Sequence, residues 1–506
     1  MQKSACTLVF WYNKLSNQIN QKRGCIMRKA VKEIENVLQR HDYSINTIIV
    51  EVMKTFKLKT LCRQVGFQKQ AGYSTTEILT LMLMLPLMLL KSVHALYKSE
   101  FQKVTTMKES CIYRLKNNEK MPWRALLLVM AKQFQRLVNS TNEVDDKSAF
   151  ILDDTIHAKT GRRIEQMTKV FDHVAGKTGT KLGFKNLTLG FFDGKSLTPL
   201  DFTLQVEKPL KKARHRKERF KKQRDPKSAG AKRIQECHVS KITNGLDMLK
   251  RAVKHGFKAK YVLVDSWFSS LEFIQTVRGL SKKSMHLICG VRQDARKYLY
   301  KGNALNASQL KSVLKNEGDE KRCRKRNIRY FEVLVDYEGI GQVKLFFCRF
   351  PYQKKFRLFL STDISLSLLN MLEIYSIRWT IEVFFKETKQ HLKLGTCQSR
   401  DFDAQIAHIT TCYLLYTLLT YFRRVNAYES LDGLFAKIKD ELIEKNVAER
   451  LWELFNDLLQ VVITSIAKSG LVDILEFFNS MEYEYLKELF ENSFITNQLK
   501  ALENAS

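Results

Sequence analysis

The sequence predicts an α/β fold in which a mixed sheet with flanking helices is interrupted by a β-rich stretch and bounded by helical regions at both ends. Three observations predict it. First, two short apolar runs, at 150–152 and 260–264, end in Asp153-Asp154-Thr155 and Asp265-Ser266-Trp267. Buried strands that deliver carboxylates at their ends read this way. Second, segments of helical period at 240–257 and 269–280 separate these runs from one another and from a further strand at 286–291. Third, residues 328–337, 342–349 and 356–361 carry strand patterns around a Glu338-Gly339 turn.

In chain order, residues 1–145 read as helical. Ser74-Thr75-Thr76-Glu77 is a capping box ahead of an apolar run, and cations are scattered through 54–63 and 98–120. After the first acidic strand, 183–193 and 196–206 form a hairpin, signalled by Asp193-Gly194 between two β-rich runs. Gly176-Lys177-Thr178 resembles the end of a phosphate-binding loop. The glycine that motif needs is replaced by Phe171, so no nucleotide site is read there. Residues 211–233 hold twelve Lys and Arg against two acids and read as an exposed basic loop or short helix that meets a DNA backbone. Residues 404–424 form a largely apolar helix. The last segment, 427–506, is helical and carries a net −8, which leaves +41 on the rest of the chain.

The net charge of +33 over 506 residues points to a polyanionic partner, and nucleic acid is the one expected. Ten cysteines form no Cys-x2-Cys pair and no zinc-spaced cluster, so they read as reduced thiols of a cytosolic protein. The longest apolar run, 78–90, is broken by Thr80 and Pro86 and falls short of the about 20 residues a membrane span needs. Residues 6–12 are apolar but lack the layout of a secretory signal.

One stretch organises the rest. On a helix, Tyr375, Arg378, Glu382, Lys386 and Lys389 fall within an arc of about 80°. Ile374, Ile377, Ile381, Phe384, Phe385 and Leu392 occupy a neighbouring arc of about 100°. A carboxylate on such a row suits Mg²⁺, while the cations and the phenol suit phosphate. A solvated face with Arg378–Glu382 and Glu382–Lys386 salt bridges fits the same spacing.

The spacing Tyr375-x2-Arg378-x3-Glu382-x6-Lys389 resembles the signature of bacterial insertion-sequence transposases of the DDE type. That resemblance implies a ribonuclease-H-like core, a mixed five-stranded sheet with flanking helices, with a β-rich insertion before the signature helix. It implies Asp154, Asp265 and Glu382 as the catalytic and metal-binding acids. Asp154 is preferred to Asp153 because the family's first Asp directly precedes Thr; strand periodicity does not choose between them. It also implies Tyr375, Arg378 and Lys389 as contacts to DNA phosphates. Trp379 reads equally as a base-stacking ring or a core tryptophan, and Lys386 is a further DNA-contact candidate. The cofactor implied is Mg²⁺, with Mn²⁺ as a substitute, and three carboxylates without a Cys/His cluster fit that choice.

The organisation expected is a helical region at 1–145 for DNA-end binding, a catalytic core at 146–295 and 364–426, an insertion at 296–363, and an acidic region at 427–506 for dimerisation. The function expected is cut-and-paste transposition by a bacterial cytoplasmic enzyme, by hydrolysis and strand transfer. The partners expected are inverted-repeat ends, target DNA and a second copy of the chain, without membrane or nucleotide. The alternatives are a metal-dependent nuclease that does not join strands and a non-catalytic DNA-binding protein.

Overall fold

The computed structural model describes residues 52–425, apart from 88–89, 91, 99–104, 139–145, 162, 173–178, 208–219, 281–283 and 352. The acidic tail, residues 1–51, Gly176-Lys177-Thr178 and the first part of the basic run therefore lie outside the described residues. The chain divides into two compact units. One comprises Met1–Val52, Ser92–Glu109 and Asp432–Ser506, and its described part holds a one-turn helix, Val93–Leu96, capped by Ser92. The other, Met53–Lys91 with Ser110–Leu431, holds every element discussed below.

Its first helices are α1 (Leu58–Gln64), α2 (Thr75–Met84), α3 (Glu109–Lys116) and α4 (Trp123–Val138). The Ser74–Glu77 capping box forms with both of its bonds. Helix α4 packs on strand β4 (Leu197–Gln205) and on the long helix that ends the described chain, and α2 packs on that same helix. Much of the N-terminal helical region thus belongs to the same compact unit as the sheet.

The sheet begins with β1 (Ala149–Ala158), β2 (Thr168–Phe171), β3 (Thr180–Phe192) and β4. Asp193 Oδ1 accepts bonds from the Lys195 and Ser196 amides, and Gly194 takes a φ of +97°, which closes the predicted hairpin between β3 and β4. After α5 (Ala229–Cys237) and α6 (Lys241–Lys254) come β5 (Tyr261–Val264), α7 (Leu271–Gly279) and β6 (His286–Val291). Strand β1 lies antiparallel to β3 and parallel to β5, which lies parallel to β6. The order β4-β3-β1-β5-β6 is that of a ribonuclease-H-like sheet.

The sheet does not stop at five strands. The β-rich stretch adds β7 (Lys297–Tyr300), β8 (Asn303–Asn306), α8 (Ala307–Asn316), β9 (Lys321–Cys323), β10 (Ile328–Tyr337), β11 (Gly341–Arg349) and β12 (Arg357–Ser361). Strand β12 pairs antiparallel with β6, so the stretch extends the core sheet to twelve strands. Its position in sequence marks an insertion, yet its backbone bonds continue the core, because the free edge of β6 offers unpaired N–H and C=O groups. Helices α9 (Leu368–Ser376), α10 (Trp379–Gln390) and α11 (Phe402–Val425) follow.

Side chains alternate across β1. Phe150 and Leu152 join Leu246 and Leu249 of α6 in the core on one face. Gly245 permits that approach, since a Cβ there would meet Leu152 Cδ2 at 2.5 Å. On the other face, Asn186 and Thr188 of β3 bond the buried Tyr413 hydroxyl of α11 at 2.7 and 2.6 Å.

Candidate functional site

Acidic residues gather where the parallel pairing of β1 with β5 ends. Strand β5 stops at Val264, but β1 does not end in its Asp pair as expected and runs on through Asp153 and Asp154 to Ala158, held by its pairing with β3. The parallel register pairs Leu152 with Val264, so the residues that follow, Asp153 and Asp265, emerge side by side. Strand alternation then separates the two candidate first acids. Asp153 points towards α10, where its Oδ2 accepts a bond from Arg378 Nη1 at 2.6 Å. Asp154 points towards α6, where its Oδ1 accepts from Lys241 Nζ at 2.9 Å. Arg378 Nη2 also donates to Glu382 Oε1 at 2.7 Å. One guanidinium therefore bridges Asp153 and Glu382, and Asp265 stands beside Asp153. Asp154, the first acid expected from the sequence, lies on the opposite face of β1 from Asp153 and Glu382.

Burial pushes the Asp153 carboxyl up to about 6; Arg378 opposes this rise and the Asp265 charge adds to it. Such a group favours a cation beside it, and Arg378 meets that demand. The guanidinium is itself half committed, because its Nε is buried without a hydrogen-bond partner. The oxygen-only donors Asp153, Asp265 and Glu382 fit a hard divalent cation. As they stand, no three acidic, histidine or cysteine side chains among the described residues close around one point.

The signature stretch is not one helix. Helix α9 ends at Ser376 and α10 starts at Trp379. Between them Ile377 and Arg378, and in the first turn of α10 Ile381, bond to carbonyls three residues back, at 3.1, 3.1 and 3.2 Å. This tighter winding moves Tyr375 out of line with the row that follows it. Tyr375 packs edge-on to Phe359, and its hydroxyl donates to the Val264 carbonyl at 3.3 Å. Burial pushes its phenol up to about 12. The hydroxyl thus braces the end of β5 next to Asp265.

Further along α10, Lys389 Nζ donates to Thr155 Oγ1 at 2.5 Å, on the same face of β1 as Asp153. Burial, with Lys181 nearby, lowers its pKa. Lys386 is exposed, and among the described residues the Glu382–Lys386 bridge does not form. Trp379 is 61% exposed, which rules out the core reading of that ring.

The described end of the basic run is not a loose loop. Arg224 grips Glu165 with two bonds, at 2.6 and 2.8 Å, and reaches Asp403 at 3.0 Å. Lys222 holds Asp403 at 2.8 Å and Asp401 at 3.2 Å. Arg233 is buried and stacks on Phe202. The acids Asp401 and Asp403 sit at the start of α11, where the helix N-terminus favours negative charge. These three cations act in the fold. Composition alone cannot separate them from solvent-facing ones, although the Pro226 and Gly230 that follow signal a structured turn.

A sheet of this order, carrying acids on β1 and at the end of β5 and on a later helix, is the frame of a ribonuclease-H-like nuclease. Two family models match the chain: "DDE superfamily endonuclease" over residues 74–309, and "transposase DDE domain" over residues 230–418. Both models describe DDE enzymes, and together they support a DDE transposase relationship across residues 74–418. These families imply DNA binding and nuclease activity. Among curated proteins none matches the chain. No helix among the described residues is long and apolar enough to cross a membrane.

Proposed function

We propose that this protein is a cut-and-paste DNA transposase whose reacting acids are Asp153, Asp265 and Glu382. The observation that carries the reading is the Arg378 bridge: Asp153 and Glu382 share one cation beside Asp265, where the parallel pairing of β1 with β5 ends. Mg²⁺ or Mn²⁺, when bound to these acids, supplies an activated water or 3′-hydroxyl and stabilises the leaving oxygen.

The chain's own groups supply the rest. Arg378 exchanges a carboxylate for a phosphate oxygen when DNA enters, since its fork suits either partner. Lys389 meets the backbone two turns along α10, and Lys386 adds charge on the exposed side. Trp379 lies at the mouth of the site, open to a base. Asp154 and Lys241 form a pair on the reverse face that holds α6 against β1. Water first cuts the phosphodiester at the element's end, and the freed 3′-hydroxyl then attacks target DNA. Two copies act together because an element has two ends.

The test uses DNA carrying the terminal sequences that flank the gene. Cleavage and joining are expected with Mg²⁺ and are expected to stop with EDTA. Cutting without joining favours the nuclease alternative, and cutting that persists in EDTA refutes the metal mechanism.

A further inference from the structure

We propose that Trp267 and Arg292 form a platform on which an unpaired nucleobase stacks, next to the candidate acids. The proposal rests on the DNA-processing reading above, and it names a contact that the signature helix does not supply.

Strand β5 ends in Asp265, and the chain then makes a single 3₁₀ turn, Ser266–Phe268. Asp265 Oδ1 accepts a bond from the Trp267 backbone amide at 3.0 Å, so the main chain at Trp267 is fixed beside a candidate acid. Phe268 turns inward, is fully buried and packs on Phe273. Trp267 turns outward and is 48% exposed. The turn already has its apolar plug in Phe268. Leaving a second large ring in water forgoes the hydrophobic gain of burying it.

What surrounds the ring is cationic. Arg292 follows β6, the parallel neighbour of β5, so it emerges at the same edge of the sheet as Asp265. Its guanidinium lies 4.9 Å from the indole centroid. Among the described residues no carboxylate pairs with Arg292, which is exposed. Lys241 Nζ lies 5.8 Å from the same ring.

A half-exposed indole with an unpaired guanidinium over it matches a nucleotide, with the base stacked on the ring or on the guanidinium plane and the phosphate beside the charge. In a duplex both faces of a base are covered by its neighbours. The ring therefore selects a base at a frayed end, an overhang or a splayed position. Such bases arise where a strand is cut.

The test uses the full chain in EDTA, with strand integrity checked on a denaturing gel. One probe is a duplex of arbitrary sequence with a short 3′ overhang that carries 2-aminopurine at its first unpaired position. The other is the same duplex with blunt ends. The unaltered protein should bind the overhang about 5- to 150-fold more tightly, the range for one stacked base, and should quench the 2-aminopurine. Trp267→Ala and Trp267→Leu should lose both effects while binding the blunt duplex within about twofold of normal. Trp267→Phe should keep most of the preference, which separates stacking from packing. Arg292→Ala should reduce it. The platform is overturned if Trp267→Leu keeps the preference, if the unaltered protein has none, or if only Trp379→Ala abolishes it. If the unaltered protein binds neither probe, the DNA-processing reading itself fails and the platform falls with it.

Discussion

Replacing Asp153 and Asp154 by Asn, one at a time, tests the geometry of the site most directly, because the two neighbours differ only in the face of β1 they occupy. Asp153→Asn removes a carboxylate from the cluster with Asp265 and Glu382. Cleavage at matched ends should slow by at least about 100-fold, about 2.7 kcal/mol of barrier. The same change should stabilise the fold. Burial pushes the folded Asp153 carboxyl up to about 6, above its value in an unfolded chain. The folded state thus binds this proton more tightly, and ionisation weakens the fold as pH rises from about 4 to about 6. At neutral pH an uncharged Asn removes a penalty of up to about 3 kcal/mol, so urea denaturation at pH 7.5 should shift to higher midpoints. Asp154→Asn loses a partly exposed pair with Lys241, which is worth about 0–1 kcal/mol. It should cut at a near-normal rate. An inactive Asp154→Asn beside an active Asp153→Asn would refute the assignment.

Other outcomes follow from the same contacts. Glu382→Gln should abolish cleavage yet leave DNA binding intact, whereas Lys389→Ala should weaken the cut-end complex by about 1–3 kcal/mol; gel-shift affinity beside cleavage rate separates the two, and normal cleavage by Glu382→Gln would reduce that residue to a salt-bridge partner. Arg224→Ala strands Glu165 and Asp403 in a buried setting and should cost about 3–5 kcal/mol of stability; neutralising the cations in 211–219 should instead flatten the salt dependence of DNA binding without a shift in Tm. Burial, with Lys116 and Lys159 nearby, pushes His408 down to about 3, so the unfolded chain takes up that proton first. Stability present above about pH 6.5 should therefore be lost progressively towards pH 3, and His408→Gln should lessen that slope in pH-resolved denaturation.

The elements legible in the sequence were those with local causes. The capping box at Ser74, the Asp193-Gly194 turn and the apolar runs of β5, β6 and β10 each depend on residues a few positions apart. Asp153-Asp154, Asp265 and Glu382 were legible as candidates in the same way, as residue types at fixed offsets, but the continuation of β1 through its Asp pair, which rests on pairing with β3, was not. The short strands β2, β7 and β8 carry no clear period of their own and form only by pairing with distant partners.

Tertiary structure alone decided the rest. Both faces of β1 are covered, so Asp153 and Asp154 look alike to any periodicity argument. Only the register with β5 and the placement of α6 and α10 tell them apart. The pairing of β12 with β6, which turns an insertion into an extension of the core sheet, is likewise a contact between strands far apart in the chain. So is the capture of Lys222 and Arg224 by Glu165, Asp401 and Asp403, which takes cations from a basic run into the fold. A charge in the sequence has a sign but no direction, and its role follows from the side chain that meets it once the chain has folded.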